Sequence, residues 1–322
     1  MGFFKSLFGG KETTDEEREA KRQENNFDVL KYDGIQALRI GKTDYSIACL
    51  THALDIKEDR EAHIALVNAY VHKGDLDSAC DELEEMCEVY PDDKTFPVTW
   101  AETLFQLERY DEMESACAHA LELDPSLAAP HYLLARGSFA KGALEDAEAS
   151  ATKAIENNAE LYEAYLLRAE ILLQSGKTDA ALADVDHLIE ADYVTDEVLM
   201  QKGKILEQSG DTENALIYYN NVLEENPFIE DAYVRLGALQ LQAGDTAKAQ
   251  ATLEDAIEQM GERSQLLLLS AAIKERGGDA EGAAADKARA AELAAEEQEA
   301  EGSEVDIERE MQNKYSSINP FQ

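Results

Sequence analysis

The sequence is short of positive charge. It has 29 Lys and Arg against 68 Asp and Glu, and 29 − 68 gives a formal net charge of −39. Nucleic-acid binding depends on cations that neutralise phosphates, so DNA and RNA are excluded as principal ligands. Anionic membranes repel the bulk of the chain for the same reason. Long apolar runs are also missing. Stretches such as Ala215-Leu-Ile-Tyr-Tyr219 fall far short of the roughly 20 residues a spanning helix needs. Only a few apolar residues precede Lys11, and no signal-peptide core is expected there. Cys49, Cys80, Cys87 and Cys117 are the four cysteines of 322 residues, too few for a disulfide scaffold, which points to a reduced, cytoplasmic protein. Six prolines and one tryptophan, set among abundant Ala, Leu and Glu, predict an all-α chain.

What the chain does have is a period. Glycines recur at Gly41, Gly74, Gly142, Gly176, Gly210, Gly244 and Gly278, with spacings of 33, 68, 34, 34, 34 and 34. The absent member falls at Glu108. A 34-residue period predicts helix–turn–helix repeats. The units are 27–59, 60–93, 94–127, 128–161, 162–195, 196–229, 230–263 and 264–297. Their eighth residues are small or slim: Gly34, Val67, Ala101, Ala135, Ala169, Gly203, Gly237 and Ala271. The twentieth reads Ser46, Ala79, Met113, Ala147, Ala181, Ala215, Ala249 and Ala283, and the twenty-seventh is mostly Ala. Pro91, Pro125 and Pro227 share the thirty-second position, where a helix must stop.

These small residues, the turn glycine and the late proline resemble the tetratricopeptide repeat (TPR) family, and Gly74-Asp-Leu-Asp-Ser-Ala and Ala120-Leu-Glu-Leu-Asp-Pro125 read close to its consensus. The resemblance covers 27–297 and implies a right-handed superhelical α-solenoid with a groove lined by the first helix of each pair. The departures are local. Ser46 replaces alanine, Glu58 stands where proline is usual, the third repeat lacks its glycine and carries Pro97, and the fifth ends on Tyr193. The family's lysine-and-asparagine clamp for a C-terminal carboxylate is not matched in its known form. Lys31 and Ile35 are followed by Ala65, Thr95 and Thr99, and Asn68 is accompanied by Ile64 where the clamp has lysine.

If repeat positions 4, 7, 8 and 11 face the partner helix, positions 2, 5, 6, 9, 12 and 13 face the groove. Apolar groove candidates are Tyr132, Leu133, Phe139, Leu166, Leu167, Leu173, Met200, Val234, Leu241, Leu268 and Leu269. Polar candidates are Asn68, His72, Gln106, Arg136, Gln174, Lys204, Gln208, Arg235 and Gln242. The expected function is a non-catalytic interaction scaffold that holds a protein or peptide ligand. Tyr132, Phe139, Leu166, Leu167 and Val234 are its anchors and Arg136, Lys204 and Arg235 its polar clamps, with Asn68, Gln174 and Gln208 alongside. The competing expectation is that neighbouring repeats bury some of these side chains against each other.

Catalysis finds no constellation. His52, His119 and His187 share one outward repeat position, and His63, His72 and His131 have no phosphate loop, HExxH or nucleophile elbow beside them. The cysteines read as small packing residues. No cofactor and no metal site is expected. Outside the repeats, Phe3, Phe4, Leu7 and Phe8 would share one helical face for partner or membrane docking, and Gly2 with Ser6 fits a loose myristoylation pattern. A short helix with one lysine binds membranes weakly. The alternative reading is therefore a structural assembly factor, peripheral at a membrane surface or within a larger complex. Residues 11–26 read as a charged linker. The acidic tail 298–322 ends with Ile318 and Phe321 and is a candidate ligand for the protein's own groove.

Overall fold

The structure, a computed structural model, describes residues 15–296. Among them there is no strand. The helices are α1 (Asp15–Arg39), α2 (Thr43–Leu54), α3 (Arg60–Lys73), α4 (Leu76–Val89), α5 (Thr95–Gln106), α6 (Tyr110–Leu123), α7 (Ala128–Ala140) and α8 (Leu144–Asn157). They continue as α9 (Tyr162–Gln174), α10 (Thr178–Glu190), α11 (Asp196–Ser209), α12 (Thr212–Glu225), α13 (Glu230–Gln242), α14 (Thr246–Met260) and α15 (Ser264–Arg276). A last helix, α16, occupies 280–296. The described chain divides into two compact units, 15–125 with α1–α6 and 126–296 with α7–α16.

Turn chemistry explains the tight pairing. Gly74 takes φ +78°, a left-handed conformation that costs glycine nothing sterically. Asp75 then accepts a hydrogen bond from the Ser78 N–H at 3.2 Å and caps α4. The same Gly-Asp device recurs at Gly210-Asp211, where Asp211 caps α12 through the Asn214 N–H. In the third pair Glu108 adopts φ +57° without glycine's freedom. Pro91, Pro125 and Pro227 each lie two residues past a helix end, where a missing N–H costs nothing.

Each unit is held by the small-residue positions. The eighth, twentieth and twenty-seventh residues of the repeats are all buried, from Gly34, Ser46 and Ala53 to Ala271, Ala283 and Ala290. Close approach is the reason. A Cβ on Gly203 would lie 2.5 Å from Cε1 of Tyr219, and one on Gly237 would lie 2.6 Å from Cδ2 of Leu269. Ser46, the odd member of its column, spends its hydroxyl on the Gly34 carbonyl at 2.8 Å, so no buried donor is left unmade.

α1 reaches into the charged segment 11–26. The helix begins at Asp15, within the segment read as a linker. Residues 17–26 are exposed throughout, and their Glu, Arg, Lys and Ala are good helix formers. The first core residue is Phe27, at the position where the repeat begins. No helix among the described residues is long and apolar enough to cross a membrane.

Candidate functional site

The second unit brings three of the predicted polar residues together. Lys204 and Gln208 project from α11 and Arg235 from α13. With Leu173, Glu207, Gly210, Thr212, Leu239 and Gln242 they line an open cleft of about 450 Å³. The charges in it are matched. The Lys204 Nζ lies 2.8 Å from Asp231 Oδ2. Arg235 donates from Nε to Asp231 Oδ1 at 2.9 Å and from Nη1 to Glu207 Oε2 at 3.1 Å. The Tyr219 hydroxyl donates to the same Glu207 oxygen at 2.6 Å.

These contacts set the protonation states. Burial works against the Asp231 charge, yet Lys204 and Arg235 together outweigh it and hold the carboxyl below the usual carboxylate range. Burial, with Glu207 beside it, pushes the Tyr219 phenol far up, so it remains a donor. Burial also pushes the Cys80 and Cys87 thiols to about 11 and Cys117 to about 12. All four cysteines are free and buried, as expected for packing residues.

Lys204 and Arg235, two of the expected polar clamps, are each engaged by Asp231. One expectation about the inner face needs correcting, that of its apolar lining. Leu133, Met200, Leu241 and Leu269, expected to line the groove, are core residues less than a tenth exposed, and Leu173 is as buried although it backs the cleft beside Gln208. First and second helices of neighbouring pairs pack around Leu173, Met200, Leu241 and Leu269. Leu268 is left 44% exposed.

The remaining candidates are divided. Tyr132 and Leu166 pack on the core around Tyr165 and Leu172. Phe139 and Leu167 pack around Ala147 and Ile171, and Val234 packs around Leu253 and Leu266. All five keep part of their surface in solvent. The Arg136 guanidinium sits over the Tyr132 ring at 5.7 Å, a cation–π contact. Gln174 is exposed, and Gln208 donates its amide to the Leu173 carbonyl near the end of α9 at 3.0 Å. Asn68 belongs to the first unit. It edges an apolar cleft of about 140 Å³ with Ile64, Val67, Leu83, Met86, Thr95, Phe96 and Thr99. Phe3, Phe4, Leu7, Phe8 and the tail 298–322 lie outside the described residues.

Sequence reading missed the acidic half of the cleft. Glu207 and Asp231 fall at groove positions, but one-fifth of the chain is Asp or Glu, so neither stood out. Tyr219 had a usable signal. It is buried against the glycine at the eighth position of its own repeat, and a bulky ring there requires that glycine. Among the described residues no group of three His, Cys, Asp or Glu side chains converges as a metal site.

Stacked helix pairs with this turn chemistry define a helical repeat protein. Tetratricopeptide repeat models match residues 101–127, 166–228 and 206–273, and a model of the second ARM domain of tetratricopeptide repeat protein 21 matches 118–176. A tetratricopeptide repeat protein from Parabacteroides merdae superposes with a TM-score of 0.60 at 20% identity, over 72% of this chain and 92% of that one. PilW, described as a widely conserved type IV pilus biogenesis factor, gives 0.55 at 18% identity over 61% and 91%. YrrB, described as a TPR protein with an unusual peptide-binding site, gives 0.50 at 22% over 57% and 95%. No curated protein matches the chain. The chain is a tetratricopeptide repeat protein, an α-solenoid of helix–turn–helix units.

Proposed function

We propose that the protein is a non-catalytic interaction scaffold whose second unit receives an extended or helical segment of a partner protein. The observation that carries this reading is the cleft of about 450 Å³ in which Lys204, Gln208 and Arg235 meet the apolar Leu173 and Leu239. It offers amides for a peptide backbone and charges of both signs for its side chains. Partly exposed Tyr132, Phe139, Leu166, Leu167 and Val234 supply apolar contact surface on the same unit. Peptide binding by YrrB belongs to that protein, but it shows what the shared fold can do. Because Asp231 and Glu207 already hold Lys204 and Arg235, the ligand competes for these groups. Selectivity then comes from charge placement more than from net attraction.

Reversing Lys204 or Arg235 would disturb the scaffold together with the site, so a gentler probe is preferable. A photo-crosslinking residue at exposed Gln242 in the cleft is compared with one at exposed Glu224 on α12. In lysate of the source cell, a partner captured from Gln242 and not from Glu224 is the expected outcome. Capture from Glu224 alone, or equally from both, rejects the cleft.

A further inference from the structure

His63, at 4% exposure, is the one buried side chain among the described Asp, Glu, Lys, Arg and His residues of the first unit. It sits on α3, and both of its ring nitrogens face carboxylates. Nδ1 meets Glu82 of α4, and Nε2 meets Glu58 in the connection before α3. A neutral imidazole carries one N–H and one acceptor nitrogen, whereas an ionised carboxylate only accepts. Two such contacts cannot both be satisfied by neutral histidine and two carboxylates. The cluster therefore holds one proton more than that set, on the ring or on a carboxyl facing it.

The surroundings leave His63 as the ionic partner of Glu82. Tyr90, beyond α4, puts its ring edge-on to the imidazole at 6.4 Å and its hydroxyl on Glu58 at 3.2 Å. Asp59 and Glu61 are both engaged by Lys31 of α1 at 2.7 Å. Arg60 is held by Asp93 at 2.7 Å. From α2, Asp44 pairs with Lys73 at the far end of α3. Tyr70, whose phenol burial and then Glu82 push up, adds no positive charge. Among the described residues no other ion pair reaches Glu82, whose side chain is 13% exposed.

We propose that His63, Glu58 and Glu82 form a proton-controlled latch on the α3–α4 pair. With the proton present the pair is locked. With it gone, Glu82 is a buried carboxylate without a cation, and α3 and α4 loosen. Ile64 and Leu83, next in sequence to His63 and Glu82, line the apolar cleft of the first unit, so the latch controls the shape of that cleft. This rests on the side-chain cluster and is independent of ligand binding in the second unit. The direction agrees with the group's own balance: burial opposes the imidazolium, but Glu82 and Glu58 outweigh burial and raise it above its ordinary 6.5.

Side-chain ¹⁵N resonances of the six histidines, followed by NMR across pH 5–9 on the full chain, test the proposal. His63 is expected to titrate above 6.5 and to move down in Glu58→Gln, a change at a half-exposed side chain that the fold tolerates. Backbone hydrogen exchange in α3 and α4, corrected for intrinsic rates, should accelerate by about tenfold per proton lost per pH unit. The acceleration should begin above 6.5, level off once the pH has passed the His63 midpoint, and leave α11 and α12 unaffected. A His63 midpoint at or below 6.5, or one unchanged by Glu58→Gln, overturns the latch. So does α3–α4 exchange that follows α11 and α12 at every pH.

Discussion

The two units neutralise their clustered carboxylates by different means. In the second, Asp231 and Glu207 are bound by Lys204 and Arg235, cations that keep their charge across the physiological range. In the first, Glu58 and Glu82 share one imidazole. The same family scaffold thus carries one cluster that is indifferent to pH near neutrality and one that depends on a single exchangeable proton. The difference lies in residue type at a few positions, since the helix pairs are built on the same small-residue columns.

Removing a cation is the strongest way to break the second cluster. Arg235→Ala strips one partner from Glu207 and one from Asp231 and leaves Tyr219 as the remaining donor to Glu207. Its loss should cost about 2–3 kcal/mol, below the full penalty for a buried pair because the side chain is one-third exposed. Lys204→Met removes a single contact to Asp231 and should cost about 0.5–1 kcal/mol. Chemical denaturation of the two variants measures both. Equal losses would mean that Glu207 does not depend on Arg235.

The next test uses pH, where the two units should respond at opposite ends. Asp231 is held below its ordinary 3.8 in the folded chain. Its contribution is therefore present above that value and is lost as acid takes the pH down through the folded value. His63 is raised above 6.5. Its contribution is complete below 6.5 and disappears as pH rises through the folded value, with a slope of at most about 1.4 kcal/mol per pH unit. Wild-type stability should thus fall on the alkaline side of neutrality, and His63→Gln should flatten that limb while leaving the acid limb in place. A His63→Gln profile that keeps the alkaline fall would assign it elsewhere.

Periodicity made the fold readable because steric columns are strict. The register that put Gly203 and Gly237 at close helix crossings was visible as spacing alone, and Tyr219 and Leu269 fill the space those glycines leave. The site was less readable because a helical face is wider than the surface it exposes. Leu173, Met200 and Leu241 lie at inner positions, yet neighbouring helices cover them. Partners of charges were illegible for another reason. Arg235 reaches Glu207, 28 residues back, and with so many acids available no sequence pattern selects that one. His63 was overlooked for want of a motif, since its carboxylates come from different segments, 5 and 19 residues away.

The smallest effect compares matching turns of the two units. Gly142 takes φ +74° with open space where a Cβ would stand, and Glu108 takes φ +57° with a side chain in place. A left-handed residue bearing a Cβ costs about 1–2 kcal/mol, and glycine returns part of that gain through the greater freedom of its unfolded chain. Glu108→Gly should therefore stabilise the first unit by about 0.5–1 kcal/mol, and Gly142→Ala should weaken the second by a similar amount. Glu108 is exposed, so the change touches no packing and isolates the backbone term. Denaturation midpoints of the two variants should move in opposite directions. A Glu108→Gly chain no more stable than wild type would mean that the glutamate's side chain compensates its backbone, and that the third turn departs from the family pattern without cost.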